Sequence, residues 1–184
     1  MERTVGQPPE NCTRLFHGTT SQNAIGILQT GPHPGENICD FGSGFYTTPS
    51  ATYAWEFALN VDDDDDSALV VFDVPNQWMR EANPLDLQGD SWRIAVTSAL
   101  QNRNAAAALD PFVAVQGSIT DNLDAVQCGE EPIPSNFQQF VLRHDTSGVA
   151  TAPFRSFMSA AHVTVIFALN SEDESPPESS HEDG

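Results

Sequence analysis

A glycine turn that leads directly into a strand is the sequence feature that most constrains the fold. The stretch DFGSGFYTT, from Asp40 to Thr48, has two glycines one residue apart, followed by Phe45, Tyr46 and two threonines. Glycine lets the backbone turn sharply or come close to a ligand, and aromatic and β-branched residues favour strands. Because side chains alternate along a strand, we expect Phe45 and Tyr46 to face opposite sides, with one ring in the core.

The rest of the chain alternates between short predicted strands and helices. Further strands are predicted in the stretch 13–20, where the strand ends near Gly18, and at residues 68–74, 111–119, 137–144 and 162–169. Helices are predicted at residues 21–31, 50–60 and 89–103. The predicted strands are spread along the chain, whereas the predicted helices lie in its first two thirds. This pattern favours an α+β domain over a doubly wound parallel sheet.

Polar residues at the start of each predicted helix indicate how the helices begin. We expect Ser21, Ser50 and Asp90 to be the three N-caps, because short polar side chains can accept hydrogen bonds from the free N–H groups of the first turn. The buried face of the first helix is expected to hold Ala24, Ile25 and Leu28.

The chain of 184 residues is long enough for one domain with a full core. We expect an N-terminal extension at residues 1–13, a folded domain at 14–170 and an acidic disordered tail at 171–184, where Glu, Ser and Pro dominate. The five aspartates from Asp62 to Asp66 are interpreted as a solvated loop. A calcium site is the alternative, but the run lacks the ligand spacing of an EF-hand.

The charge of the chain excludes several partners. Its net charge is −19, and all seven basic residues are arginines. This negative field argues against binding to nucleic acid or to anionic membranes. The absence of lysine fits an acidic or salt-adapted proteome, or an effector that escapes ubiquitination or modification of itself. With a polar N-terminus and no apolar run of transmembrane length, we expect a cytoplasmic protein, with non-classical secretion as an effector the alternative.

No metal site is expected, because the three cysteines show no zinc spacing. Cys39, beside the glycine turn, is interpreted as a small buried residue, with a reactive thiol as the alternative. His144 and His162 stand at predicted strand ends and are interpreted as structural.

Three motifs together resemble the ADP-ribosyltransferase superfamily. They are LFHGT at residues 15–19, DFGSGFYTT at 40–48 and SATYAW at 50–55. The match is to the branch whose signature is His, Tyr and usually Glu, which includes diphtheria-toxin-like and poly-ADP-ribose polymerase-like enzymes and a microbial family with HG and DFGxGFY motifs. NFQQFVLRH resembles the strand that carries the third signature residue, which places Gln139 there. The resemblance covers residues 14–167 and implies a split mixed β-sheet core with flanking helices.

The resemblance also implies that the substrate is NAD and assigns roles to individual residues. His17 would bond a hydroxyl of the adenosine-side ribose, and the backbone of Gly18 would pair with the nicotinamide carboxamide, a close approach that only glycine permits. Tyr46 would stack on the nicotinamide ring, Tyr53 would close its other face, and Ser50 would reach the carboxamide. Thr19 and Phe45 complete the expected binding set.

The third signature position departs from the usual pattern, because Gln139 has no charge. A carboxylate there would stabilise the positive charge that develops on the ribose when the nicotinamide leaves. Its loss could cost about a hundredfold or more in rate. The resemblance implies that members without the Glu transfer a single ADP-ribose, act on unusual acceptors or are inactive, so synthesis of a polymer is not expected. Glu130 and Glu131 precede this strand. They are interpreted as surface charges, with supply of the missing carboxylate the alternative.

Three functions remain open from the sequence. The first is a mono-ADP-ribosyltransferase with His17, Tyr46 and Gln139 at its centre, acting on an unknown protein or small-molecule acceptor. The second is an NAD glycohydrolase, and the third is an inactive module that binds NAD or ADP-ribose, or a partner protein. A tRNA 2′-phosphotransferase is disfavoured by the charge. The segment 121–137 is expected to be a loop without secondary structure that selects the acceptor.

Overall fold

Helices and two β-sheets make up the described part of the chain, which in the computed structural model is residues 6–32, 39–61, 66–101, 114–143 and 152–168. The strands are β1 (Cys12–Thr20), β2 (Gly44–Thr47), β3 (Ser67–Pro75), β4 (Leu85–Leu87), β5 (Ala114–Thr120), β6 (Pro134–Arg143) and β7 (His162–Phe167). The helices are α1 (Ser21–Thr30), α2 (Ala51–Val61), α3 (Asn76–Ala82), α4 (Gly89–Gln101), α5 (Leu123–Gln127) and α6 (Ala152–Ala160). In these ranges no helix combines the length and the apolar character needed to cross a membrane.

Among the described residues, an isolated backbone bridge joins the two sheets. The first sheet has the antiparallel order β1-β3-β7, and the second has the order β2-β6-β5-β4, in which only β4 and β5 run parallel. Phe16 in β1 and Thr48 after β2 exchange two backbone hydrogen bonds, of 2.8 and 2.9 Å. A mixture of helices with two separate sheets agrees with the α+β prediction.

Strand β6 contributes to two apolar clusters because its side chains alternate. Phe140 and Leu142 face the cluster between the sheets, where Phe45, Phe72 and Phe157 are also buried. Val141 faces the other way, into a second cluster beneath α4 that contains Trp92 and Phe41. The alternation of Phe45 and Tyr46 is confirmed in the same way: Phe45 lies in the first cluster, and Tyr46 packs against the second.

The predicted start and buried face of the first helix need correction. The N-cap of α1 is Thr20, whose Oγ1 accepts a hydrogen bond from the N–H of Asn23 at 3.2 Å, while Ser21 is already helical. Ala24 and Ile27 are buried against the core, whereas Ile25 and Leu28 are 45% and 49% exposed. The stripe that faces the sheet is therefore rotated by one position from the predicted one.

Asp90 is not the cap of α4, because the helix begins at Gly89 and includes it. Ser91 closes the preceding turn instead: its Oγ accepts from the N–H of Gln88 and donates to the Gln88 carbonyl. Ser50, in contrast, caps α2 as predicted, since its Oγ accepts from the N–H of Tyr53 at 3.2 Å.

Four elements are missing from the sequence prediction: α3, β4, α5 and α6. Since α6 lies in the last third of the chain, the helices are not confined to the first two thirds. Segment 121–137 is not a structureless loop either, because it contains α5 and the start of β6. The predictions for the aspartate run at 62–65, for His144 and for the acidic tail lie outside the described residues.

Candidate functional site

One cavity brings most of the predicted site residues together. Its volume is about 800 Å³, within the range of about 300–1,000 Å³ that is usual for small-molecule sites. Parts of β1, α1, the glycine turn, β2, α2, β5 and β6 form its walls. The predicted site residues that line it are His17, Gly18, Thr19, Phe45, Tyr46, Tyr53 and Gln139.

The two glycines of the turn meet different structural requirements. Gly42 has a φ of 80°, a left-handed conformation that favours glycine. Gly44 lies so close to β6 that a Cβ would be 2.7 Å from the carbonyl oxygen of Leu142. The turn therefore delivers β2 against β6, and Tyr46 reaches the cavity as a consequence.

The hydroxyl of Tyr46 is tied back into this turn. It donates a hydrogen bond to the carbonyl of Gly42 at 2.6 Å and accepts one from the N–H of Phe41 at 3.0 Å. Burial raises the pKa of Tyr46 well above its ordinary value, so the phenol stays neutral. Because strand β2 holds the backbone of Tyr46 and these two hydrogen bonds hold its hydroxyl, the ring forms a rigid wall of the cavity.

His17 presents a hydrogen-bond acceptor. Its Nδ1 lies 2.7 Å from the carbonyl oxygen of Tyr46, which can only accept, so Nδ1 carries the proton. Burial lowers the pKa of His17, which keeps the ring neutral and leaves Nε2 with a lone pair. The ring is supported by Phe45, whose centroid is 4.5 Å away. Phe45 thus serves the core and positions His17.

Gly18 is required by helix packing. A Cβ at this position would collide with the carbonyl oxygen of Ala54 in α2 and would lie 2.8 Å from its carbonyl carbon. Packing of α2 on β1 therefore requires a glycine at this position independently of any ligand.

The backbone of Gly18 remains available at the cavity. Along a strand, the N–H and C=O of residues i and i+2 point to the same side. Phe16 directs its groups away from β3 to Thr48, so those of Gly18 point to the same free edge of β1. Thr19, which follows, is buried and also lines the cavity.

Tyr53 and Ser50 have different positions relative to the cavity. Tyr53 is half-buried in its wall, with its ring centroid 5.0 Å from that of Phe137. Ser50 is not among the lining residues, and its hydroxyl caps α2. The structure therefore gives Ser50 a helix-capping role and does not bring it to the cavity.

Gln139 is fixed by Asp40, which the sequence prediction missed as a site residue. Gln139 Nε2 donates to Asp40 Oδ2 at 2.6 Å and to the carbonyl of Ser118 at 3.2 Å. Both residues line the cavity and are almost fully buried, with 6% and 4% exposure for Gln139 and Asp40. Asp40 Oδ2 also accepts from the N–H of Thr120 at 2.8 Å.

Two buried polar atoms lie together at this point. Asp40 Oδ1 and Thr120 Oγ1 make no hydrogen bond of good geometry with a described residue, although the Thr120 side chain is close enough to Asp40 to lower the pKa of its carboxyl. Burial raises the pKa of Asp40 above its ordinary value, against the opposing effect of its hydrogen bonds from Thr120 and Gln139. Because unsatisfied buried polar atoms are uncommon in folded proteins, their position beside a cavity indicates a site built to take polar ligand groups.

A second, smaller cavity adjoins the first. Its volume is about 380 Å³, and it shares Tyr53, Ile119 and Thr120 with the larger one. Glu56, Asp121 and Phe137 also line it. The segment expected to select the acceptor therefore forms part of a wall here.

The structure does not support a reactive or ligand-binding role for the remaining candidates. Cys39 lines the larger cavity, but burial raises the pKa of its thiol to about 11, which argues against a reactive thiolate. Glu130 and Glu131 are exposed and line neither cavity. His162 is exposed at the start of β7. Within the described ranges, no three His, Cys, Asp or Glu side chains are grouped as a metal site requires.

No protein-family model matches the sequence, and a search of curated proteins finds no match.

Proposed function

We propose that this protein is a mono-ADP-ribosyltransferase that uses NAD, built on an ADP-ribosyltransferase-like split sheet. The observation that carries the proposal is the convergence of His17, Gly18, Tyr46 and Gln139 on one cavity, although they come from three strands far apart in the sequence. Motifs that merely resembled a family by chance would not be expected to meet in this way.

In the proposed reaction, the bond between the ribose C1′ and the nicotinamide nitrogen breaks. The electron pair of that bond goes to the nitrogen, which leaves as neutral nicotinamide. An oxygen or nitrogen nucleophile of the acceptor forms the new bond to C1′ and loses a proton. Positive charge develops on the ribose during this step, as in glycoside hydrolysis.

His17 and Gly18 have the polarity that this substrate needs. The lone pair of His17 Nε2 can accept a hydrogen bond from a ribose hydroxyl, because Nδ1 is already committed to Tyr46. The free edge of β1 at Gly18 offers one donor and one acceptor, the complement of a carboxamide. Both contacts pair a donor with an acceptor.

The aromatic wall suits a cationic leaving group. The nicotinamide ring of NAD is positively charged, and a cation over an aromatic face gains about 0.5–2 kcal/mol. Tyr46 is held rigidly by its two hydroxyl hydrogen bonds, so little conformational freedom is lost when a ligand stacks on it. The attraction disappears when the bond breaks and the nicotinamide becomes neutral, which favours its release.

The described lining of the cavity offers the phosphates of NAD amide groups and no arginine. Gln22 and Asn23 from the first turn of α1 line the cavity, and their amide groups can donate to phosphate oxygens near the positive end of the helix. We therefore expect modest affinity for NAD, with weak dependence on salt.

The test uses NAD labelled on the adenine, incubated with the protein alone and with a cell extract. Free nicotinamide and label on macromolecules are measured in parallel, together with NAD binding by calorimetry. His17→Ala and Tyr46→Leu should lose nicotinamide release, whereas His162→Ala, a histidine exposed on β7, is the matched control and should behave as wild type.

The outcomes separate the three functions. Nicotinamide release with label on a macromolecule supports the transferase. Release without label in any fraction, together with free ADP-ribose, supports a glycohydrolase. Binding without release supports an inactive module, an outcome that the neutral Gln139 would explain. A wild-type protein that neither binds nor cleaves NAD would overturn the proposal.

A further inference from the structure

We propose that Asp40 is a positioning residue that supplies, through the amide of Gln139, the negative charge missing from the third signature position. This inference rests on the proposed function and concerns the same cavity. It differs from the sequence-based alternative, in which Glu130 or Glu131 would provide the carboxylate, since both are exposed and line neither cavity.

The first step of the argument is the orientation of the Gln139 amide. Its nitrogen faces two groups that can only accept, the carboxylate of Asp40 at 2.6 Å and the carbonyl of Ser118 at 3.2 Å. The opposite orientation would set the amide oxygen against both acceptors. Gln139 Oε1 is therefore turned away from them, and no described residue donates to it. It remains free to accept a hydrogen bond from a ribose hydroxyl.

The second step concerns charge. Burial raises the pKa of Asp40, and its hydrogen bonds from Thr120 and Gln139 oppose this shift by favouring the charged carboxylate. The hydrogen bond to this carboxylate polarises the amide and strengthens its oxygen as an acceptor. In a site with little water, a fixed negative charge near the reacting ribose stabilises the developing positive charge. The carboxylate of Asp40 and the amide of Gln139 would together stabilise the charged ribose, as a single Glu at the third signature position would.

The third step is that Asp40 is poorly explained by folding alone. Its Oδ2 links the glycine turn to β5 through Thr120 and to β6 through Gln139, but an asparagine oxygen could accept the same two hydrogen bonds. The negative charge of an almost fully buried carboxylate adds a cost of burial that an asparagine would not have. A function for the charge accounts for this cost.

The experiment exchanges the two side chains. Asp40→Asn removes the charge and keeps an acceptor for Thr120 and Gln139, so NAD binding should stay within about threefold of wild type. Nicotinamide release should fall about 100-fold, the scale seen when a preorganised electrostatic contact is lost. The double variant Asp40→Asn/Gln139→Glu reverses the pair and should recover at least tenfold over Asp40→Asn alone.

Two controls make the test specific. Asp90→Asn removes the same charge from an exposed position on α4 and should release nicotinamide at the wild-type rate. Gln139→Glu alone should be no faster than wild type, because two carboxylates at hydrogen-bond distance hold one of them protonated.

Three results would overturn the role of Asp40: a release rate of Asp40→Asn within threefold of wild type, a double variant no better than Asp40→Asn, or a Gln139→Glu variant much faster than wild type. Wild-type protein that binds NAD without cleaving it would also overturn this role. Wild-type protein that does not bind NAD at all would instead refute the proposed function, so the two failures are distinguishable.

Discussion

Replacing Gly18 with alanine tests how tightly the site is built into the fold. A Cβ on Gly18 would lie 2.8 Å from the carbonyl carbon of Ala54 and 3.1 Å from the nitrogen of Ala58, and closer still to the Ala54 oxygen. These are backbone atoms of α2, so no side chain can rotate away, and the helix itself must move from β1. Overpacking of this kind costs about 1–3 kcal/mol or more.

Part of this cost is offset in the unfolded chain. Alanine has less freedom to lose on folding than glycine, which is worth about 0.4–1 kcal/mol. From the midpoints of these ranges, the net loss of stability for Gly18→Ala is about 1.3 kcal/mol, a substantial part of the 5–15 kcal/mol that usually stabilises a domain. Unfolding in urea, followed by circular dichroism, measures it.

Gly26→Ala is the matched control for this prediction. Gly26 lies inside α1, and a Cβ there would meet nothing within 4 Å. The same substitution should therefore raise the free energy of unfolding by about 0.5–1 kcal/mol. Opposite signs are expected at the two positions. A Gly18→Ala protein as stable as Gly26→Ala would refute the close packing of β1 on α2.

Four other predictions follow from the site. Burial raises the pKa of Asp40 in the folded protein above its value in the unfolded chain, so the stability that Asp40 contributes is present below the unfolded-chain pKa and is lost as pH rises through the folded-state pKa. The stability gained in Asp40→Asn should therefore grow with pH between these two values, as measured by urea unfolding at a series of pH values. The pKa of His17 is lowered by burial, so NAD binding by calorimetry should be constant near neutral pH and weaken only in acid, where protonation removes the Nε2 acceptor; weakening already at pH 7 would contradict the assigned protonation state. Tyr46→Phe leaves the N–H of Phe41 without its partner and should lower the free energy of unfolding by about 1–3 kcal/mol, while the retained ring keeps NAD binding near wild type. In mass spectrometry after iodoacetamide at pH 7.5, exposed Cys128 should be alkylated well before Cys39, whose thiol pKa is about 11.

Local sequence patterns were sufficient to predict most strands. Continuous apolar character predicted β3, and the aromatic residues after the glycine turn predicted β2. The opposite directions of Phe45 and Tyr46 followed from the two-residue period of a strand alone. These features depend only on residues that are adjacent in the chain, which is why the sequence was sufficient to predict them.

The missed elements carry weaker local signals. Helix α5 is five residues long and contains too few turns for an amphipathic pattern to be visible. At the start of α1, Thr20 and Ser21 are adjacent and both can cap a helix, so the pattern could not distinguish them. The structure decides through Asp66, whose carbonyl accepts the N–H of Ser21 and leaves Thr20 as the cap.

The pairing of Asp40 with Gln139 could not be predicted, because the two residues are 99 positions apart. Their contact depends on the register of β2 with β6 and of β6 with β5, in which Gly117 lies opposite Gln139. Within its own motif Asp40 has no neighbour in the chain that indicates its role. The role of its carboxylate depends on the contacts of the glycine turn with Thr120 in β5 and Gln139 in β6.

Release of nicotinamide from NAD by the purified chain of 184 residues tests the central claim most directly. The proposed function predicts release that is linear in time, proportional to protein concentration, and lost in His17→Ala but kept in His162→Ala. Absence of both NAD binding and nicotinamide release in folded wild-type protein would contradict it.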